Sequence, residues 1–363
     1  MFRLSIGMII PEAMREYNLI EAEGGALLTS LLGATAIFIT IGGNLSDRIG
    51  KYVAMSIGFT IMSFGMVLAG RSIGYYEMLF FLFIAGIGSG IFTASLYAFV
   101  GDIQPGSRGA LVGITNAFYG IGGFIGPWIT AILILKNDWH SPFYLMGLLA
   151  LTLSCFLWAG ASNKDNKKKE SRTKINYRSF LRDINIIFLC AAIAIANFAF
   201  SSYSAWAPSY LNKIGMLDLS DVGLAFGSYS ITGALGAIFY GTLSDKIGRR
   251  KSIMASGFPA FFISLFYFSG QIKYASLMLL SVVLGFTSYA YWNLTISALQ
   301  DRIDNRYIGS ATGIMLSFAL ISAAIAPAAS GFMITNYGIS IALILSIALP
   351  QLIYTIFASK AIG

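Results

Sequence analysis

The sequence predicts an all-α membrane protein built as two pseudo-symmetric six-helix bundles, on three observations. Apolar runs of about 20 residues recur from end to end, each long enough to cross about 30 Å of hydrocarbon. Of 363 residues, 56% are hydrophobic and only 11% charged, against about 25% charged in a soluble domain. Finally, the stretch Gly43-Asn-Leu-Ser-Asp47-Arg48-Ile-Gly50-Lys51 returns about 200 residues later as Gly241-Thr-Leu-Ser-Asp245-Lys246-Ile-Gly248-Arg249-Arg250-Lys251. Glycine, Leu-Ser-Asp, a cation, isoleucine, glycine and a second cation keep the same spacing, which implies two homologous halves. The runs carry Gly, Ala, Ser and Leu without polar alternation, so they read as helices, which satisfy their own backbone in lipid.

Taken in order, segment 1 is a short apolar piece over about 1–14 that ends at Pro11-Glu12, and 15–23 is polar. It is too short to span. About ten further residues of helix are expected before Met1, so the chain reads as a fragment or as one whose start is set too late. The opening residues are too short for a cleavable signal peptide. Segment 2 covers about 25–44 and ends at the first charged hairpin, where two flanking glycines suit a tight turn. Segments 3 to 6 cover about 52–70, 78–100, 110–135 and 142–161. A linker, 162–183, is rich in Lys, Asn and Arg and reads as a polar tether between an N-terminal half, 1–161, and a C-terminal half, 184–363. The second half repeats the plan with segments 7 to 12 at about 184–210, 222–244, 253–269, 275–299, 308–335 and 338–358.

Net charge is +8. The cations are scattered over short loops rather than gathered on one face, which excludes nucleic acid as a partner. Counting Lys and Arg, the side with the hairpins, linker and C-terminus holds 18 and the other side 5, with Arg3 left over. The positive-inside rule therefore puts the hairpins, linker and C-terminus in the cytoplasm. Cys155 and Cys190 fall inside apolar segments and act as small packing residues, and the single His140 offers no ligand set. No metal or cofactor is expected. Nor is there a nucleophile–base pair for an enzyme or a phosphate-cradling loop for an ATP-driven pump.

A second repeat supports the first. Segment 5 holds Gly113, Gly122, Gly126, Pro127 and Thr130. Segment 11 holds Gly313, Ser322, Ala326, Pro327 and Ser330, each displaced by 200. Residues four apart share a helix face, and small residues there let helices approach closely. These stripes are expected to pack the two halves together.

The paired loops resemble the signature loop of the major facilitator superfamily, and the resemblance extends over essentially the whole chain. Segment 5 is similar to the run associated with antiporters of that family, although Trp128 to Ala131 replace its closing glycines. Two departures stand out: Leu82 sits where an arginine is usual in segment 4, and Tyr52 where a second basic residue is usual. The resemblance implies two six-helix bundles around a central cavity that opens alternately to each side. Segments 1, 4, 7 and 10 would line the cavity, and 2, 5, 8 and 11 would form the interface. It implies a secondary transporter of a small organic solute in the lipid bilayer; a monomer is expected, although the resemblance does not fix the oligomeric state.

Arg3 is the sharpest binding candidate. It lies eight residues before Pro11, about 12 Å along a helix, which places it near mid-membrane. A charge there is costly and marks function, and a guanidinium takes a carboxylate or phosphate by two parallel bonds. Organic-anion members of the family often have an arginine in this part of segment 1. The remaining spanning segments lack Asp, Glu, His, Lys and Arg. The substrate class expected is an organic anion such as a carboxylate or sugar acid. A drug or sugar efflux carrier, or a non-transporting receptor, is the alternative. Asn116, Tyr119, Asn197, Tyr203, Tyr291 and Asn293 are expected to line the cavity, where hydroxyls and amides orient a solute and rings give flat contact. Asp47, Arg48, Arg108, Asp245, Lys246, Arg249, Arg302 and Arg306 are expected to gate. In this reading Asp47 pairs with Arg108, and Asp245 with Arg302 or Arg306.

Overall fold

The computed structural model describes residues 2–102, 108–161, 183–270, 274–303 and 308–362. Linker residues 162–182 and Arg306 lie outside the described residues, as do the surroundings of Gly113 and the side chains of Arg108 and Asn116. The first half runs α1 (Phe2–Tyr17), α2 (Glu21–Ile49), α3 (Lys51–Ala69), α4 (Tyr75–Asp102), α5 (Arg108–Lys136) and α6 (Ser141–Ala161). The second half runs α7 (Ile184–Lys213), α8 (Leu219–Ile247), α9 (Arg249–Tyr267), α10 (Tyr274–Ser288), α11 (Tyr291–Gln300), α12 (Ile308–Tyr337), α13 (Ile339–Leu343), a π-helical turn (Ile344–Ala348) and α14 (Leu349–Ile362). Ten helical stretches among the described residues are long and apolar enough to cross a membrane.

Several expectations from sequence are corrected. Segment 1 does not end at Pro11. The helix runs through it to Tyr17, because Pro11 has only two turns behind it and α1 leans on α2, α5 and α7. The charged hairpin is not a loop either. Helix continues to Ile49 and resumes at Lys51, with Gly50 (φ 91°, ψ 152°) as a one-residue joint. Gly248 (φ 90°, ψ 154°) does the same between α8 and α9. That backbone region is nearly closed to residues with a Cβ, so these glycines are required for their conformation. Gly43 and Gly241 instead sit inside α2 and α8 with nothing within 4 Å of an added Cβ. Segment 10, expected as one helix, breaks at Tyr289 and Ala290 into α10 and α11. Segment 12 is interrupted by the π-helical turn.

Within the first half α4 packs on α2 and α3, and α3 on α6. Within the second, α7 packs on α12 and α14, and α8 on α10. The halves meet along two crossings, α2 with α12 and α5 with α8, and α1 adds a third contact to α7. Backbones touch at these crossings because glycines permit it: Gly25 meets Pro327 O, Gly331 meets Glu21 O and Gly7 meets Ser204 O. On α5 the residues that meet α8 are Gly120, Gly123, Phe124, Pro127 and Ala131, against Ser230, Ala234, Gly227 and Gly223. Gly122 and Gly126 lie beside that face. On α12, Ser322 of the matching stripe turns toward its own half and donates to Ala194 O of α7 at 2.7 Å. The small-residue stripe therefore includes packing within a half, and Pro127 and Pro327 are its members at the interface between halves.

A set of hydrogen bonds and close glycine approaches joins the halves away from the charged hairpins. Ala328 N donates to Thr29 Oγ1 at 3.2 Å, Thr335 Oγ1 to Glu21 at 3.4 Å, and Lys213 Nζ stands 3.8 Å from Glu21. Nearer the hairpin end, an added Cβ on Gly313 of α12 would meet nothing within 4 Å. The halves are closed at the far end.

Candidate functional site

Arg3 sits on the second residue of α1, and its guanidinium lies over the ring of Phe200 from α7, 4.6 Å from the centroid. Such a placement favours a cation electrostatically. Its Nε and Nη2 are buried and have no hydrogen-bond partner. These two nitrogens share one edge of the guanidinium, so their N–H bonds run parallel. A buried donor without an acceptor is costly, and two on one edge fit a carboxylate.

Around Arg3 stands a wall of rings from the second half. Phe200 stacks on Tyr229 of α8 at 6.4 Å and meets Tyr289 edge-on at 5.4 Å. Tyr289 and Tyr291 flank the break between α10 and α11, which turns both toward this wall. Gly233 leaves the room that Tyr289 fills, since an added Cβ there would stand 2.6 Å from the ring. Arg3 acts electrostatically on Tyr229, Tyr289 and Tyr291, and so does Tyr119 of α5 from the first half. Tyr289 Oη is buried without a partner. Arg3 from one half thus lies on Phe200, which itself meets Tyr229 and Tyr289 of the other.

The other candidates take different roles. Asn197 is buried and bonded at both ends of its amide. Its Nδ2 donates to Ala319 O at 2.7 Å, and its Oδ1 accepts from Tyr291 Oη at 3.1 Å. It ties α7 to α12 and sets the angle of Tyr291, with both ends of its amide engaged by the protein. Tyr203 lies behind Tyr229, stacked on it at 4.1 Å, so it supports the wall from the core. Asn293 is half-buried on α11. Trp206 is structural, donating to Pro327 O at 3.0 Å. Reasoning from sequence missed Phe200 and Tyr229. Their only signal was an aromatic placed mid-span, where aliphatic residues serve packing as well.

At the hairpin end, Asp245 does not pair with Arg302. Its Oδ1 accepts from Arg249 Nη1 at 2.8 Å, while Arg249 Nε donates to Asp301 Oδ2 at 3.0 Å. Arg249 also meets Ser244 Oγ. One guanidinium three residues past Lys246 spans two carboxylates, which is why it outcompetes the exposed Arg302 at the end of α11. Burial works against the charge of Arg249, and Asp301 with Asp245 outweighs it, so its pKa is raised. In the first half, Arg48 is exposed, and the expected partner of Asp47 lies outside the described side chains.

The fold and this site define a polytopic membrane carrier with two helical bundles and a polar, cationic centre between them. The family model described as Major Facilitator Superfamily matches residues 1–220 and again 216–359. The chain belongs to that family and is a multi-pass membrane transporter, not an enzyme. It is similar to the hexuronate transporter of Bacillus subtilis, 25% identical over 93% of this chain and 85% of the relative. It is also similar to the cis,cis-muconate transport protein of Acinetobacter baylyi (25%, 90% and 82%) and to the probable L-galactonate transporter of Escherichia coli (23%, 91% and 79%). Among solved structures, a bacterial homolog of the human lysosomal transporter Spinster, in an inward-facing and occupied conformation, superposes with a TM-score of 0.76. It is 14% identical and covers 99% of this chain and 93% of that one.

Proposed function

We propose that this transporter moves an organic anion, a carboxylate or sugar acid, by alternating access, with Arg3 holding the charged group. The observation that carries this is the pair of buried, unpartnered donors on one edge of Arg3. They match a carboxylate in geometry and in charge. Hexuronate, muconate and galactonate, named for three relatives, are all carboxylates. Tyr119, Tyr289 and Tyr291 offer hydroxyls to the rest of the solute, and Asn197 positions Tyr291. Asn116 and Asn293 complete the lining in this reading.

In this reading the hairpins face the cytoplasm, by the excess of cations on that side, and the closed far end is the opposite one. Asp47 with Arg48 and Arg108, and the Asp245, Arg249 and Asp301 cluster with Lys246, Arg302 and Arg306, gate that side. Residues 1–161 and 184–363 act as the two rocking units, and one chain suffices because both walls of the site come from it.

The test is uptake of labelled carboxylates into proteoliposomes by the parent chain, Arg3→Lys and Arg3→Gln. Hydrogen bonds to a charged group contribute about 1.5–3 kcal/mol, about 10- to 100-fold in affinity. Arg3→Gln should lose that much. Arg3→Lys should recover only part of it, because an ammonium lacks the paired edge. Uptake indifferent to both substitutions would remove Arg3 from the site.

A further inference from the structure

Behind the ring wall the second half encloses another cavity, bounded by α7, α8, α9, α10, α11 and the last helix. It has room for a water-sized particle and none for an organic solute. Its polar lining includes Ser256, Thr287, Ser288 and Gln351. A hydroxyl has one proton to give, and these have already given theirs. Ser256 donates to Ile253 O at 3.2 Å, Thr287 to Val283 O at 3.0 Å and Ser288 to Leu284 O at 2.6 Å. Ser288 Oγ also meets Tyr229 Oη at 2.9 Å, which takes up one of its lone pairs. What they leave over is lone pairs. Gln351 Oε1 adds another acceptor, since the proton of Ser264, 3.3 Å away, has a nearer partner in Ala260 O at 2.8 Å.

Two interruptions of helix flank the chamber. Ser288 and Tyr291 sit on either side of the α10 to α11 break, and Ile347 of the lining belongs to the π-helical turn. Interrupted helices free carbonyls, and unwound carbonyls coordinate monovalent cations in membrane transporters. The lining holds no carboxylate, histidine or thiol. A divalent cation would call for carboxylates, and a bound proton would need a basic group. Neutral oxygens in a small enclosed space suit one weakly charged, oxygen-seeking ion.

We propose that this chamber binds a sodium ion. Tyr229 and Tyr291 line it and also lie within the field of Arg3. The positive charge of Arg3 repels a cation held there, and an anion on Arg3 cancels that repulsion. Sodium and anion therefore raise each other's affinity by the same factor. This coupling rests on the anion reading, whereas sodium binding itself does not.

The experiment is the melting temperature of the purified full chain, without organic anion, titrated with NaCl against KCl and choline chloride at constant ionic strength. Sodium should give a saturable rise of about 1–3 °C. The rise should fall away in Ser256→Ala and in Thr287→Ala, each removing one oxygen, while labelled carboxylate still binds both. Arg3→Gln should lose the anion and keep the sodium response, which separates failure of one reading from failure of the other. Equal melting in sodium and choline would overturn the proposal and leave the chamber to water. So would a sodium response that survives both substitutions, since the ion would then sit elsewhere.

Discussion

At the scale of single residues, two buried polar side chains separate binding from support. Arg3 keeps donors in hand, whereas Asn197 has spent both ends of its amide. Asn197→Ala leaves the buried Tyr291 hydroxyl without its acceptor and lets the ring turn. An unmet buried group costs about 1–3 kcal/mol, so the melting temperature should fall and carboxylate affinity should weaken less than in Arg3→Gln. The reverse order, with Asn197→Ala abolishing binding and leaving melting unchanged, would make Asn197 a ligand. Arg3, Tyr119 and Tyr291 were legible in the sequence because a charge or hydroxyl in the middle of a span has few other reasons to be there. Asn197 and Tyr203 were legible as polar and mid-span. Their direction was not, because a helical position does not say which neighbour the side chain meets. Phe200 and Tyr229 were silent, since an aromatic in lipid reads as packing until a cation lies on it.

At the scale of elements, the one-residue joints and the helix breaks matter most. Gly50→Ala and Gly248→Ala each force a Cβ into a strained backbone region, at a cost of about 1–3 kcal/mol. Each should lower the midpoint of denaturation, whereas Gly43→Ala, in open space, should leave it nearly unchanged. Arg249→Gln frees the ends of α8 and α11 from one another. The partners are partly exposed, so the loss is at most about 1 kcal/mol, or about fivefold. It should appear in turnover and leave carboxylate affinity unchanged, as stopped-flow uptake would report. The repeated motif made the joints legible, because two glycines and flanking charges kept their spacing. The break at Tyr289 and Ala290 was not legible. The stretch Ser288-Tyr-Ala-Tyr291 has neither proline nor glycine, and packing of the two tyrosines, one against Phe200 and one on Asn197, decides where the helix parts. The small-residue stripes were legible as packing faces and only partly as to partner: Pro127 and Pro327 meet the other half and Ser322 its own, since spacing four apart names a face and not what covers it.

At the scale of the whole molecule, the far end is held by backbone contact at Gly25, Gly7 and Gly331 and by Glu21 between Lys213 and Thr335. Glu21→Gln removes a half-exposed ion pair of about 0–1 kcal/mol and should only modestly raise labelling of a cysteine placed at the far end. Gly25→Val, which drives a side chain into Pro327 O, should raise that labelling strongly and slow uptake. Unchanged labelling in Gly25→Val would show that the crossing does not hold the far end shut. Two halves and their interface helices were readable from the repeats, and the state of the carrier was not, because the same sequence must close at either end.

The central claim is that Arg3 holds the negative charge of the solute. Its most direct test compares a carboxylate with its uncharged alcohol counterpart as competitors for labelled carboxylate, in the parent chain and in Arg3→Gln. The parent should favour the carboxylate by about 10- to 100-fold, and in Arg3→Gln that preference should collapse toward one. A preference that stays intact without the guanidinium would contradict the account.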